Sequence, residues 1–102
     1  MQRVIKREIE VIVDVDFSTP FFMIVGKTLY YRFHEKEGEP IVTMVNSDMP
    51  YRFEVCYSPM ADYHYLNYFK CGKEKYYEEI TSKEFYEVLY GGLKNNGLCE
   101  TV

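Results

Sequence analysis

The sequence predicts an α+β domain of mostly antiparallel sheet, built from two divergent copies of a strand-strand-hairpin-strand-helix unit packed with pseudo-two-fold symmetry. Three observations carry this. Residues 4–17 alternate apolar and charged side chains with period two, the signature of a half-buried strand. Gly26-Lys27-x-x-Tyr30-Tyr31 returns as Gly72-Lys73-x-x-Tyr76-Tyr77, 46 positions later in a chain of 102 residues. An offset near half the length points to a duplicated unit, with copies at about 1–48 and 49–102 of a single domain. Thr81 with Glu84 three residues on forms a capping box ahead of an apolar stripe, and so opens a helix. The composition agrees with sheet: there are 11 Tyr and 7 Phe, and Ala occurs once, at Ala61.

In the first strand Ile5, Ile9, Val11, Val13, Val15 and Phe17 share one parity, against Lys6, Glu8, Glu10, Asp14 and Asp16. Ser18-Thr19-Pro20 ends it. Phe21 to Val25 is apolar on both parities, which suits a central strand covered on two faces. Gly26-Lys27 reads as a two-residue hairpin turn, Thr28 to Phe33 as the returning strand, and His34 to Glu39 as a charged loop. Pro40 opens a short helix with Ile41, Val42, Met44 and Val45 on one face, although the β-branched content there also permits a strand.

The second half repeats the order. Tyr51, Phe53, Val55 and Tyr57 alternate with Arg52, Glu54 and Cys56 until Ser58-Pro59. Tyr63 to Lys70 reads as the next strand, Gly72-Lys73 as its turn, and Lys75 to Ile80 as the return. The closing helix carries Phe85, Val88 and Leu89 in a stripe, with Tyr86 and Tyr90 beside it. Gly91-Gly92 is expected to end it and Asn95-Asn96-Gly97 to turn. The helices are expected to cover one face of the sheet.

A net charge of −4 argues against a duplex-DNA binder held by phosphate contacts. The longest apolar run, Phe21 to Val25, is too short for a bilayer. Met1 to Arg7 is basic but is followed by no apolar stretch, so a secretory signal is not expected. Both features suit a soluble intracellular chain, or a soluble part of an assembly, with no membrane partner. Cys56, Cys71 and Cys99 include no C-x-x-C spacing, and reduced thiols are expected. A Cys56–Cys71 bridge stays open, because the predicted fold puts them on neighbouring strands.

Gly26-Lys27-Thr28 matches the end of a phosphate-binding loop, but Phe21 stands where that motif needs glycine and a strand follows in place of a helix. Asp62-x-His64 sits on a predicted strand with both side chains on one face; a small hydrolase or ligand site could use it, yet no third group is placed by spacing. His34 lies in the charged loop. No catalytic residue, metal ligand or cofactor is assigned, and the chain reads as non-enzymatic.

Abundant Tyr, Glu, Lys and Val with a single Ala, over the whole length, resembles the small proteins of filamentous viruses that infect hyperthermophilic archaea such as Acidianus. The resemblance implies the cytoplasm of an infected host, and a setting in which intracellular disulfides do occur. It carries no activity and no site residues.

The function expected is a protein–protein interaction module. An extended peptide or partner segment would lie by strand addition in a groove between the two units. Tyr30, Tyr31, Tyr76 and Tyr77 would supply side-chain pockets, with Lys27 and Lys73 at the rims. The alternative is single-stranded nucleic-acid binding, with exposed tyrosines stacking on bases and the hairpin lysines on phosphates. Net acidity disfavours it. Homodimerisation through unpaired edge strands fits both of these readings and the Asp62/His64 site alike.

Overall fold

The chain folds around a five-stranded sheet in which every neighbouring pair is antiparallel. The computed structural model describes residues 2–6, 10–14, 16–48, 52–71, 73 and 76–95. The elements in chain order are β1 (Gln2–Lys6), β2 (Glu10–Asp14), β3 (Phe21–Val25), β4 (Leu29–Lys36), β5 (Glu39–Asp48), β6 (Arg52–Pro59), α1 (Asp62–Tyr68), β7 (Tyr77–Glu79) and α2 (Ser82–Asn95). Strands β6-β5-β4-β3-β7 form the large sheet, and β1 pairs with β2 in a separate ribbon. The α+β class and the antiparallel pairing are therefore as the sequence predicts.

The single strand over 4–17 is replaced by the β1–β2 ribbon, in which Lys6 pairs with Glu10 and Gln2 with Asp14. Partners in this register share parity, so an alternating pattern is blind to the reversal. Gly26, at φ +70°, opens a loop of three residues, closed by the Val25–Leu29 pair, where two were expected. The charged stretch 34–39 is mostly strand: Glu37 and Gly38, both at positive φ, form a two-residue turn between the paired Lys36 and Glu39. Positive φ at both central residues is the type I′ geometry that matches strand twist.

Residues 40–46 lie in β5, in place of the short helix. Ile41, Val42 and Val45 are buried between β4 and β6, and a strand covered on both faces loses the alternation that identifies it. The opposite error occurs at Tyr63 to Lys70, where the expected strand is α1. Its Tyr65 side chain is 2% exposed and packs with Leu66 and Tyr68 against the sheet, so burial outweighs the β preference of its tyrosines. Cys71 follows this helix, and both it and Cys56 are exposed free thiols, so the bridge between neighbouring strands does not form. Cys99, Gly72 and the expected Asn96-Gly97 turn lie outside the described residues. The returning strand over 75–80 is the short β7.

Thr81 caps α2 as predicted: the Glu84 backbone N–H donates to Thr81 Oγ1 at 3.1 Å. The helix does not stop at Gly91-Gly92 but runs to Asn95. Gly92 is there for close approach, since a Cβ at that position would collide with the Phe53 ring.

The two helices cover opposite faces of the sheet, not one. On one face Met23, Val25, Tyr31, Phe33 and Val42 pack with Phe17, Met60 and Tyr65 of the α1 side. On the other, Val45, Ile80 and Phe85 are buried with Phe22, Ile24, Tyr30, Phe53 and Leu89. Strands β3 and β5 are apolar on both parities, so one covered face could not bury them. Chain direction through the sheet makes β6 and β7 parallel, at opposite edges, so the segment carrying α1 must cross a face between them. Segments 46 residues apart differ in structure: 39–48 is β5, whereas 85–94 lies in α2.

Candidate functional site

The six residues singled out by the repeat do not share one surface. Tyr31 is in the core, 2% exposed and stacked on Phe33 at 5.5 Å between ring centroids. Tyr30, its neighbour on β4, is half-buried in the α2-side cluster. Tyr77 is half-buried against the α1-side cluster, with its hydroxyl buried and without a hydrogen-bond partner among the described residues. Tyr76 is 65% exposed, and Lys27 and Lys73 are exposed as well. What the fold does join is the Gly26 turn to Tyr76 and Tyr77. The Gly26 N–H donates to the Tyr76 carbonyl at 2.9 Å, and Val25 pairs with Tyr77.

His64 is enclosed in the first turn of α1. It is the third residue of α1, is 3% exposed, and its Nδ1 accepts the Ala61 backbone N–H at 2.8 Å. Burial lowers its pKa from the ordinary 6.5 to about 4. The ring also lies against Tyr63, at 3.9 Å between centroids. It is a neutral cap for the first turn of the helix. Among the described residues no cluster of three His, Cys, Asp or Glu side chains could hold a metal ion.

The sheet edges differ sharply. β7 is three residues long and carries exposed Glu78 and Glu79, the charged and short form of edge that resists further pairing. β6 is eight residues long, and its charges are confined to one end, where Arg52 Nε and Nη2 bind the Glu54 carboxylate at 3.0 and 3.1 Å. Val55 and Tyr57 are 42% and 54% exposed.

The register gives the direction of the β6 backbone groups. Met60 N–H donates to the Pro40 carbonyl, in line with the Ile41–Pro59 pairing. Backbone groups alternate sides along an antiparallel strand, so those of Ser58, Cys56 and Glu54 face β5. Those of Phe53, Val55 and Tyr57 face outward, and none has a partner among the described residues. Alternation in the sequence marks β6 as a strand, but only the pairing order makes it an edge.

A second group lies on the α2 side. Arg32, Thr43 and Tyr57 stand in one cross-strand row. Arg32 Nη1 donates to the Tyr86 hydroxyl at 2.6 Å, and its guanidinium carbon lies 5.9 Å from that ring's centroid. His34 Nε2 is 3.4 Å from Arg32 Nη2 and 3.2 Å from Thr43 Oγ1. Burial, then the Arg32 charge, lower the His34 pKa.

No protein-family model, curated protein or solved structure matches the chain. Among the described residues no helix is long and apolar enough to cross a membrane.

Proposed function

We propose that this chain is a non-enzymatic protein–protein interaction module that takes an extended partner segment by strand addition along β6. The outward backbone groups of Phe53, Val55 and Tyr57 carry the reading. They form a pre-extended ladder with no partner among the described residues, beside two exposed apolar side chains. Backbone pairing supplies affinity, and alternate side chains of the partner lie on Val55 and Tyr57. The ladder is already extended and paired with β5 before binding, so little of the affinity is lost to ordering it. The internal duplication belongs to the same reading. The two six-residue copies touch at Gly26 and Tyr76, and Tyr31 and Tyr77 pack on one cluster.

Val55→Pro separates strand addition from general stickiness. Proline removes an outward N–H that β5 does not use, whereas Glu54→Pro removes one that it does. Extended peptides selected from a random displayed library should bind the wild-type protein with little salt dependence. The Val55→Pro protein, folded by circular dichroism, should lose them. Undiminished binding to that variant would sink the proposal. Binding that depends on added nucleic acid and collapses with salt would shift the function to single strands.

A further inference from the structure

The Arg32 group on the α2 face has more donors than acceptors. A guanidinium carries five N–H donors and no acceptor. In Arg32 the Nη1 side is served by the Tyr86 hydroxyl and the Nη2 side by a long contact to His34 Nε2. Nε is buried without a partner. Neutral His34 has one acceptor lone pair, yet its Nε2 lies within reach of both Arg32 Nη2 and Thr43 Oγ1. It cannot accept from both. Thr43 is itself buried, at 8% exposure, so its hydroxyl has little recourse to water.

Charge is unbalanced in the same place. The ion pairs among the described residues are Arg52–Glu54 and Lys83–Glu87, and neither involves Arg32. A partly buried cation without a counter-charge is costly, and a group rich in acceptors would relieve it. The edge left to such a group is the Nε/Nη2 side of the guanidinium. That is the fork that binds an oxyanion with two parallel hydrogen bonds.

We infer that Arg32, His34 and Thr43 form a binding site for a small oxyanion, a carboxylate or a phosphate-type group. Two oxygens engage Arg32 Nε and Nη2 once the 3.4 Å contact to His34 yields and the side chains that enclose the buried Nε move aside. The Thr43 hydroxyl donates to the same anion. Tyr86, from α2, holds the guanidinium in plane through Nη1, so the fork is oriented before the anion arrives. Tyr57, whose ring is 5.7 Å from that of His34, walls the side toward β6 and is itself 54% exposed. Bound anion offsets the Arg32 charge, and His34 then protonates more readily and adds a donor.

The experiment is a nuclear magnetic resonance titration of the isotopically labelled full chain with sodium phosphate, sodium acetate or sodium chloride at matched ionic strength. Saturable shifts at the Arg32 Nε–H and the His34 ring are expected with phosphate or acetate and not with chloride. The His34 pKa should rise as the site fills. Response to phosphate alone assigns a tetrahedral anion, and response to acetate assigns a carboxylate. Arg32→Lys keeps the charge and removes the fork, and should weaken binding roughly tenfold or more. Absence of a saturable Arg32 response in the wild-type protein would overturn the site whether or not the variant folds. So would equal shifts with chloride, or unchanged affinity in a folded Arg32→Lys protein.

Discussion

Gly91 and Gly92 are adjacent in α2, yet the fold treats them in opposite ways. Nothing lies within 4 Å of a Cβ built at Gly91, whereas one at Gly92 would collide with the Phe53 ring. Alanine at 91 should stabilise the protein by about 0.5–1 kcal/mol, because it removes unfolded-state freedom at no steric cost. Alanine at 92 gains a similar propensity term of about 1 kcal/mol but meets an overpacking cost of about 1–3 kcal/mol. The net effect should be destabilising. Urea midpoints of the two single variants should therefore move in opposite directions. Phe53→Leu should recover part of the loss in the Gly92→Ala background, since the two sites are in contact. A Gly-Gly pair in a sequence reads naturally as a helix stop. Here the ring that occupies the missing Cβ comes from a strand 39 residues earlier, which no local pattern reveals.

At the level of single elements, β6 decides the functional reading. Its outward and inward backbone amides should differ under native conditions. Glu54, Cys56 and Ser58 N–H groups face β5 and should exchange slowly with solvent deuterium, while those of Phe53, Val55 and Tyr57 should exchange fast. Alternating protection along the strand is the expected pattern. Uniform protection in the unliganded protein would mean the edge is already covered. Addition of a selected peptide should slow the odd-numbered amides and leave the even-numbered ones as they were. The strand itself was legible from the alternation of Phe53, Val55 and Tyr57 with Glu54 and Cys56. Its position at the rim was not, because edge and interior strands differ in what pairs beside them, not in their own period. Helix α1 was illegible for a related reason. Asp62–Tyr68 has a strand-like composition and becomes helical where Tyr65 and Leu66 can cap the core.

Across the whole molecule, two buried or half-buried histidines tie stability to pH. His64 falls to about 4 through burial, and His34 is lowered by burial and by Arg32. The unfolded chain, with histidines near 6.5, therefore binds these protons more readily than the folded one. Their contribution to stability is complete above that value and is lost as the pH falls below it, for His64 toward about 4. A lower urea midpoint at pH 5 than at pH 7 is expected. His64→Gln keeps an acceptor near the Ala61 N–H but cannot titrate, and it should flatten this dependence. An unchanged slope in that variant would remove His64 as its source. The effect is global because His64 lies against Tyr31 of the core, at 5.9 Å between rings.

The sequence by itself determined the α+β class, the strand at Phe21–Val25, most of its hairpin partner, and the capped start of α2. Each rests on interactions within a few residues: alternation, turn chemistry, and a side chain reaching the next turn of backbone. It did not determine that β5 is a strand, that α1 is a helix, or that the helices lie on opposite faces. Those outcomes depend on which apolar surfaces meet across the fold, and burial of Tyr65, Val42 and Phe85 outweighs the smaller local preferences. Nor could it disperse the repeated tyrosines, with Tyr31 taken into the core and Tyr76 left in solvent. The candidate edge and the Arg32 group are products of strand order. Order is set by long-range pairing, which leaves no mark on the residues it brings together.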